Sequence, residues 1–232
     1  MPRVAVLALV VSLALLASIS DALRSGGTEA ARGSAASTGV RGATTRYRFI
    51  INSSSDPRAV AANGWNLIDV GSKWAADRVP AGTKGLIWVG DYDNAACAWD
   101  ISDSSLTDQI KAIARDPKVA GYFFSDEPDP DVCPKAPTQH RARSKLIHSL
   151  DPGKLAVMVM DANSGQASLR QIPLWVGTAD YVGLDPYPCY QGKPCDYPWI
   201  DTIIKGANRA QLSYWGVVQA FSDSTWRWPT TP

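Results

Sequence analysis

Short runs of apolar residues, each cut off by polar or small residues, recur along the chain from Arg46 onward. They lie at Arg46–Ile51 (RYRFII), Asn66–Val70 (NLIDV), Gly85–Val89 (GLIWV), Val119–Phe124 (VAGYFF), Leu155–Met160 (LAVMVM), Asp180–Leu184 (DYVGL) and Ser213–Phe221 (SYWGVVQAF). Their length and their content of β-branched and aromatic residues predict seven strands. Helical patterns fall between them. Ser102–Arg115 opens on Ser and Asp, carries Leu106, Ile110 and Ile113 at helical spacing, and stops at Asp116-Pro117. Asp56-Pro57 opens a helix over Arg58–Asn63, Thr138–Leu150 ends at Asp151-Pro-Gly153, Gln166–Gln171 is a short helix, and Tyr197–Gln211 repeats Ile200, Ile203 and Ile204.

Strands that alternate with helices predict a parallel sheet, because parallel neighbours need crossover connections. An open doubly wound sheet and a barrel both satisfy this. No glycine-rich phosphate loop follows the first strand, which disfavours a nucleotide-binding open sheet. Polar residues follow strands 3 to 7 in turn, as expected when one rim of a barrel is built from all the strand ends. The expected fold class is therefore α/β, a (β/α)8 TIM-type barrel. Residues 46–232 are fewer than the roughly 250 usual for this fold, and no eighth strand is found. Either the barrel is truncated after strand 7 or it is irregular.

The first residues change the picture of the whole chain. Arg3, the apolar stretch Val4–Ala17 and the small residues Ser20 and Ala22 read as a signal peptide over 1–22. The stretch is shorter than the roughly 20 residues a spanning helix needs, so the expectation is a secreted protein with no membrane contact after cleavage. Residues 23–45, rich in Gly, Ala, Ser and Thr, read as a flexible linker before a domain over 46–232. A net charge of +1 gives no basic footprint, so no nucleic-acid partner is expected.

Secretion gives the four cysteines meaning, because an oxidising compartment lets them pair. Cys189 and Cys195 bracket a short loop and close a small ring, which leaves Cys97 for Cys133. Zinc is the rival. No cysteine pair has the two-residue spacing of zinc sites, and both histidines, His140 and His148, lie on one predicted helix away from the strand ends. No metal and no cofactor are expected. Asp91-Tyr-Asp93-Asn94 reads as a solvated turn, since the remaining ligands of a calcium loop are missing. Asn52-Ser53-Ser54 matches a glycosylation sequon.

The stretch VAGYFFSDEPDP, Val119–Pro130, ends a buried strand on two acids. Strict alternation would put Phe123, Ser125 and Glu127 on one face and Phe124 and Asp126 on the other. Pro128 stops the strand and holds Glu127 at the rim. Asp185 ends strand 6 in the same way. Two carboxylates converging from strands 4 and 6 suit general acid and base chemistry on a glycosidic bond. Glu127 and Asp185 are the catalytic candidates, with Asp126, Asp161, Tyr187, Gln219, Tyr92 and Trp99 as substrate-binding candidates and Asp69 and Asp91 behind them. Aromatic faces such as Tyr190, Trp199 and Trp226 suit sugar rings, while Trp65, Trp88 and Trp215 read as core. No Gly-x-Ser-x-Gly motif is present, which disfavours Ser-His-Asp chemistry.

The runs GYFFSDEPDP, YVGLDPYP and WGVVQAF resemble the strand 4, 6 and 7 signatures of bacterial glycoside-hydrolase-like TIM barrels, the clan that includes cellulases and β-galactosidases. The resemblance implies that Glu127 is the acid/base of an Asn-Glu-Pro motif in which Asp126 replaces the Asn. It also implies that Gln219 stands where the clan carries its nucleophilic Glu. Two readings follow: an enzyme acting on a poly- or oligosaccharide, or a carbohydrate-binding barrel without catalysis.

Overall fold

In the computed structural model the chain turns at almost every point where an apolar run meets polar residues. The structure describes the backbone of Ala8–Val11, and residues 47–51 and 56–230 with their side chains. The remainder of the 1–22 signal reading, the 23–45 linker and the Asn52 sequon lie outside the described residues.

In chain order the elements are β1 (Ala8–Val11), β2 (Phe49–Ile51), α1 (Pro57–Ala62), β3 (Leu67–Val70), α2 (Lys73–Ala76), β4 (Lys84–Trp88), β5 (Tyr92–Asp93), β6 (Ala98–Trp99), α3 (Asp103–Ile113), β7 (Val119–Asp126), α4 (Ala136–Leu150), β8 (Leu155–Met160), α5 (Gln166–Gln171), a 3₁₀ turn (Ile172–Trp175), β9 (Tyr181–Leu184), α6 (Tyr197–Ala210) and β10 (Tyr214–Gln219). Side-chain caps start the helices as their sequences suggest. Asp56, Ser102 and Asp196 each accept a hydrogen bond from a first-turn amide, and Pro occupies the first turn of α1, α4 and α6. The sequence pattern did not announce α2 or the small β5–β6 hairpin, whose pieces are too short to show a period.

Seven strands run parallel in the order β2-β3-β4-β7-β8-β9-β10 and form a curled sheet. β1 pairs antiparallel with β10 on one side and β2 on the other, closing the ring. The parallel sheet thus stops at seven strands, compatible with a barrel truncated after strand 7, and the eighth place is taken by an antiparallel strand that the sequence pattern did not announce. The two exposed edges offer rows of free N–H and C=O groups, and an apolar tetrapeptide in extended form satisfies both at once.

Two apolar layers result. Phe49, Leu67, Leu86, Phe123, Val157, Val159, Trp215 and Val217 fill the inside of the curl, and all of them come from strands. Tyr122, Phe124, Met158, Leu106, Ile110, Ile147 and Ile203 form the layer between sheet and helices. Gly121 lets β7 and β8 approach closely, since a Cβ there would stand 2.2 Å from the Leu155 carbonyl oxygen.

The alternation expected along Val119–Glu127 fails at two points: Ala120 is an extra residue opposite β4, so that Ala120 faces the inside of the curl and Tyr122 the helical layer, and a second shift follows near the end of the strand. Phe123 pairs with Val157, but Ser125 pairs with Met158 and Asp126 with Val159, leaving Phe124 as the extra residue of a bulge. Phe124 and Ser125 therefore both face the helical layer, and Asp126 takes the inward register of Val159. One inserted residue reverses the faces of everything after it. Among the described residues no helix is long and apolar enough to cross a membrane.

Candidate functional site

Parallel neighbours in register bring their C-terminal ends to one rim, and β7, β8 and β9 are consecutive in the sheet. The residues that follow them, Glu127, Asp161 and Asp185, each place a carboxyl oxygen within 4.8 Å of the other two. Glu127 is exposed, Asp161 half-buried, and Asp185 fully buried at 0% exposure.

Glu127 sits at φ +45°, a left-handed conformation uncommon for a residue with a side chain. Three hydrogen bonds hold it there. Its amide donates to the Val159 carbonyl at 2.9 Å, prolonging the β7–β8 ladder by one residue. Asn94 Nδ2 donates to the Glu127 carbonyl at 3.0 Å, while Asn94 Oδ1 accepts from the Asp129 amide at 2.8 Å. The Asn94 side chain thus clips both ends of the Glu127-Pro128 turn. Its loop is fastened to the same segment by the Cys97–Cys133 disulfide, and Cys189–Cys195 closes the second predicted ring.

The Asp185 Oδ1 accepts from the Ala162 amide at 2.7 Å, and among the described residues no backbone amide donates to Oδ2. The Glu127 carboxyl and the Tyr187 hydroxyl both lie within hydrogen-bonding reach of the Asp185 carboxyl. Burial, then the neighbouring Glu127, raises the Asp185 pKa well above the usual carboxylate range. Burial and the charges of Glu127 and Asp91 push Asp126 up to about 7. Asp91 is also raised, chiefly by burial, although its Oδ1 accepts from the amides of Asp126 at 2.8 Å and Tyr92 at 2.7 Å. Tyr187 is raised by burial and then by the Asp185 charge. Among the described residues, no lysine or arginine is a leading charge on Asp91, Asp126 or Asp185.

The other sequence candidates divide into two groups. Tyr187 borders the cluster: its amide donates to Asn163 Oδ1 at 2.7 Å, and its ring packs edge-on against Phe221 and Trp226. Tyr190 lies against Trp226 with ring centres 4.0 Å apart, and Trp199 Nε1 donates to the Ala162 carbonyl at 2.7 Å. Asp161 accepts from the Asn163 amide at 2.6 Å and from the Ser164 hydroxyl. The remaining candidates are engaged in holding the fold. Gln219 is 3% exposed, its Oε1 accepting from the Cys189 amide at 3.1 Å and its Nε2 donating to the Arg227 carbonyl at 2.9 Å. Tyr92, also 3% exposed, donates its hydroxyl to Gln139 Oε1 at 2.6 Å. Trp99 packs on Tyr92 and His140, with the Arg143 guanidinium 4.2 Å above its ring. Asp69 lies within β3 and is not part of the triad.

Sequence reasoning placed both histidines away from the strand ends, and for His140 the structure differs. Its Nε2 accepts from the Ser125 hydroxyl at 2.9 Å, its Nδ1–H donates to the Ala136 carbonyl at 2.7 Å, and Tyr92, Trp99, Phe124 and Trp175 surround the ring. The bulge that turns Ser125 outward makes this contact, which no spacing rule announces. Burial lowers the His140 pKa to about 4. Asn94 was equally hidden, since its partners lie more than thirty residues away.

No protein-family model and no curated protein matches this chain. Its course is similar to part of several solved structures. A β-glucuronidase of Bacteroides uniformis is 12% identical over 68% of this chain and 21% of its own, with a TM-score of 0.47. A β-glucuronidase of Ruminococcus gnavus, in complex with C6-substituted uronic isofagomine, is 13% identical over 70% and 30%, at 0.46. A putative β-galactosidase from Bacteroides fragilis is 16% identical over 64% and 22%, at 0.43. The chain therefore spans less than a third of the length of these proteins.

Proposed function

We propose that residues 46–232 form a secreted glycoside-hydrolase-like domain, a TIM-type barrel that cleaves a glycosidic bond in a poly- or oligosaccharide by carboxylate chemistry. The observation that carries the proposal is the meeting of Glu127 and Asp185 from separate strand ends, with carboxyl oxygens within 4.8 Å. Glu127, the exposed member, is the group a substrate reaches first and acts as general acid toward the glycosidic oxygen. Asp185, fully buried, acts through Glu127, which it orients from behind. An inverting pair stands about 6.5–9.5 Å apart to admit a water between its members, and this pair is closer. Tyr187, which borders the cluster, packs with Trp226, and Trp226 with Tyr190, and this aromatic group is the surface proposed for a carbohydrate partner.

Assaying Glu127→Gln and the parent protein on a glycan panel tests the assignment. Loss of the general acid should lower kcat by about 10²–10⁴-fold without changing the melting temperature. Hydrolysis of every active glycan at the parent rate would refute it. One observation favours a second reading, a carbohydrate-binding barrel without catalysis. The Gln219 amide, at the strand end where the resembled clan has its nucleophile, is bonded to the Cys189 and Arg227 backbone. Glycan binding without release of reducing ends selects that reading.

A further inference from the structure

We propose that Asp91 is the positioning residue of Glu127, holding the end of β7 through the Asp126 amide. The inference rests on the reading of Glu127 as the reacting acid.

The need for such a residue follows from the sheet. β4 leaves the ladder after Val89, whose amide donates to the Phe123 carbonyl at 2.9 Å, and Gly90 then turns the chain at φ +106°. Among the described residues the backbone pairing of β4 with β7 ends there, while β7 runs on toward Glu127. The Asp91 side chain takes the place of the missing carbonyl. Its Oδ1 accepts from the Asp126 amide at 2.8 Å, although the two residues are 35 apart in sequence. On the opposite edge the Glu127 amide donates to the Val159 carbonyl at 2.9 Å. Two successive amides are thus tied to opposite neighbours, and the direction in which the Glu127 side chain leaves the strand is set between them.

Asp91 is itself fixed from several sides. Its amide donates to Asp100 Oδ1 at 2.8 Å, and the Asp100 amide donates back to the Asp91 carbonyl at 3.0 Å. Gly90 leaves room for this pairing, since a Cβ there would stand 2.8 Å from the same Asp100 oxygen. The Tyr92 amide donates to Asp91 Oδ1 at 2.7 Å, which holds the carboxyl in its orientation. From the helical side, the Ser125 hydroxyl lies within hydrogen-bonding reach of the Asp91 carboxyl and is bonded to His140 Nε2 at 2.9 Å. An acceptor mounted in this way fixes the strand end that carries the acid, and small displacements of a reacting group cost rate steeply.

The test compares Asp91→Ala, which removes the acceptor, with Asp91→Asn, which keeps Oδ1 and loses the charge, in the full, disulfide-bonded chain. Amide hydrogen exchange at Asp126 and Glu127 should quicken by about tenfold or more in Asp91→Ala, stay unchanged in β9 and β10, and return toward the parent rate in Asp91→Asn. On a glycan that the parent hydrolyses, Asp91→Ala should lower kcat by about 10–100-fold with KM within about twofold, and Asp91→Asn should recover most of the loss. Equal exchange at Asp126 and Glu127 in the parent and in Asp91→Ala overturns the proposal. So does an Asp91→Asn variant as impaired as Asp91→Ala, and exchange that quickens throughout the sheet would assign Asp91 to general stability instead. Exchange is measured without glycan. A parent that cleaves no glycan refutes the hydrolytic reading, while the exchange rates still decide whether Asp91 holds the end of β7.

Discussion

At the scale of single residues, the Glu127 peptide is held in a conformation that a residue with a Cβ adopts at a cost. Asn94 bears on this directly, because it bonds the Glu127 carbonyl and the Asp129 amide with one side chain. Asn94→Ala removes both bonds and should lower stability by about 1–3 kcal/mol in denaturant unfolding; an unchanged midpoint would show that the clip contributes nothing. His140 gives a second prediction. Burial lowers its pKa from 6.5 to about 4, so between those values the unfolded chain binds the proton that the folded one refuses. Stability contributed by the neutral ring is complete above pH 6.5 and is lost as pH falls toward 4. The melting temperature should therefore drop across that window, and His140→Gln should flatten the drop while lowering stability at neutral pH, because the aromatic cage then holds a poorer fit. An equally steep decline in the variant would assign the acid sensitivity to other groups.

At the scale of elements, the β7 bulge and the two disulfides set how the rim is built. The bulge at Phe124 reverses the facing of Ser125 and Asp126, giving α4 a contact to the strand through His140. The disulfides differ in what they restrain. Cys97–Cys133 is separated by 36 residues and ties the β5–β6 hairpin to the segment after Glu127, whereas Cys189–Cys195 is separated by 6. Chain-entropy arguments give about 4 kcal/mol for the longer loop and about 2 kcal/mol for the shorter. Replacing Cys97 and Cys133 by Ser should accordingly destabilise the protein more than replacing Cys189 and Cys195, as measured by denaturant midpoints. Equal losses would mean that the larger loop is already ordered by the hairpin before the bond forms.

At the scale of the whole molecule, ring closure depends on a tetrapeptide from within the stretch that reads as a signal peptide. Ala8–Val11 pairs with both β2 and β10, and a chain cleaved after Ala22 would have lost it. The two edges would then be unpaired, and Val218, 39% exposed on β10, would lie on an open strand. A chain beginning at Tyr47 should melt at a lower temperature and scatter light at micromolar concentration, and Val218→Lys should relieve the scattering by blunting the edge. Melting and scattering identical to those of the full chain would show that the seven parallel strands are sufficient. Much of this architecture is legible in the residues alone. The seven apolar runs, their helical intervals, the Ser and Asp caps, the two cysteine pairs and the acids at the strand ends follow from local composition and period, which act over a few residues. The closing strand, the bulge, the Asn94 clip, the His140 contact and the locking of Gln219 and Tyr92 into the fold are decided only in three dimensions. Each depends on groups far apart in the chain being brought to bonding distance. Glu127, Asp161 and Asp185 are acids at strand ends by sequence, but they become one cluster because β7, β8 and β9 stand side by side.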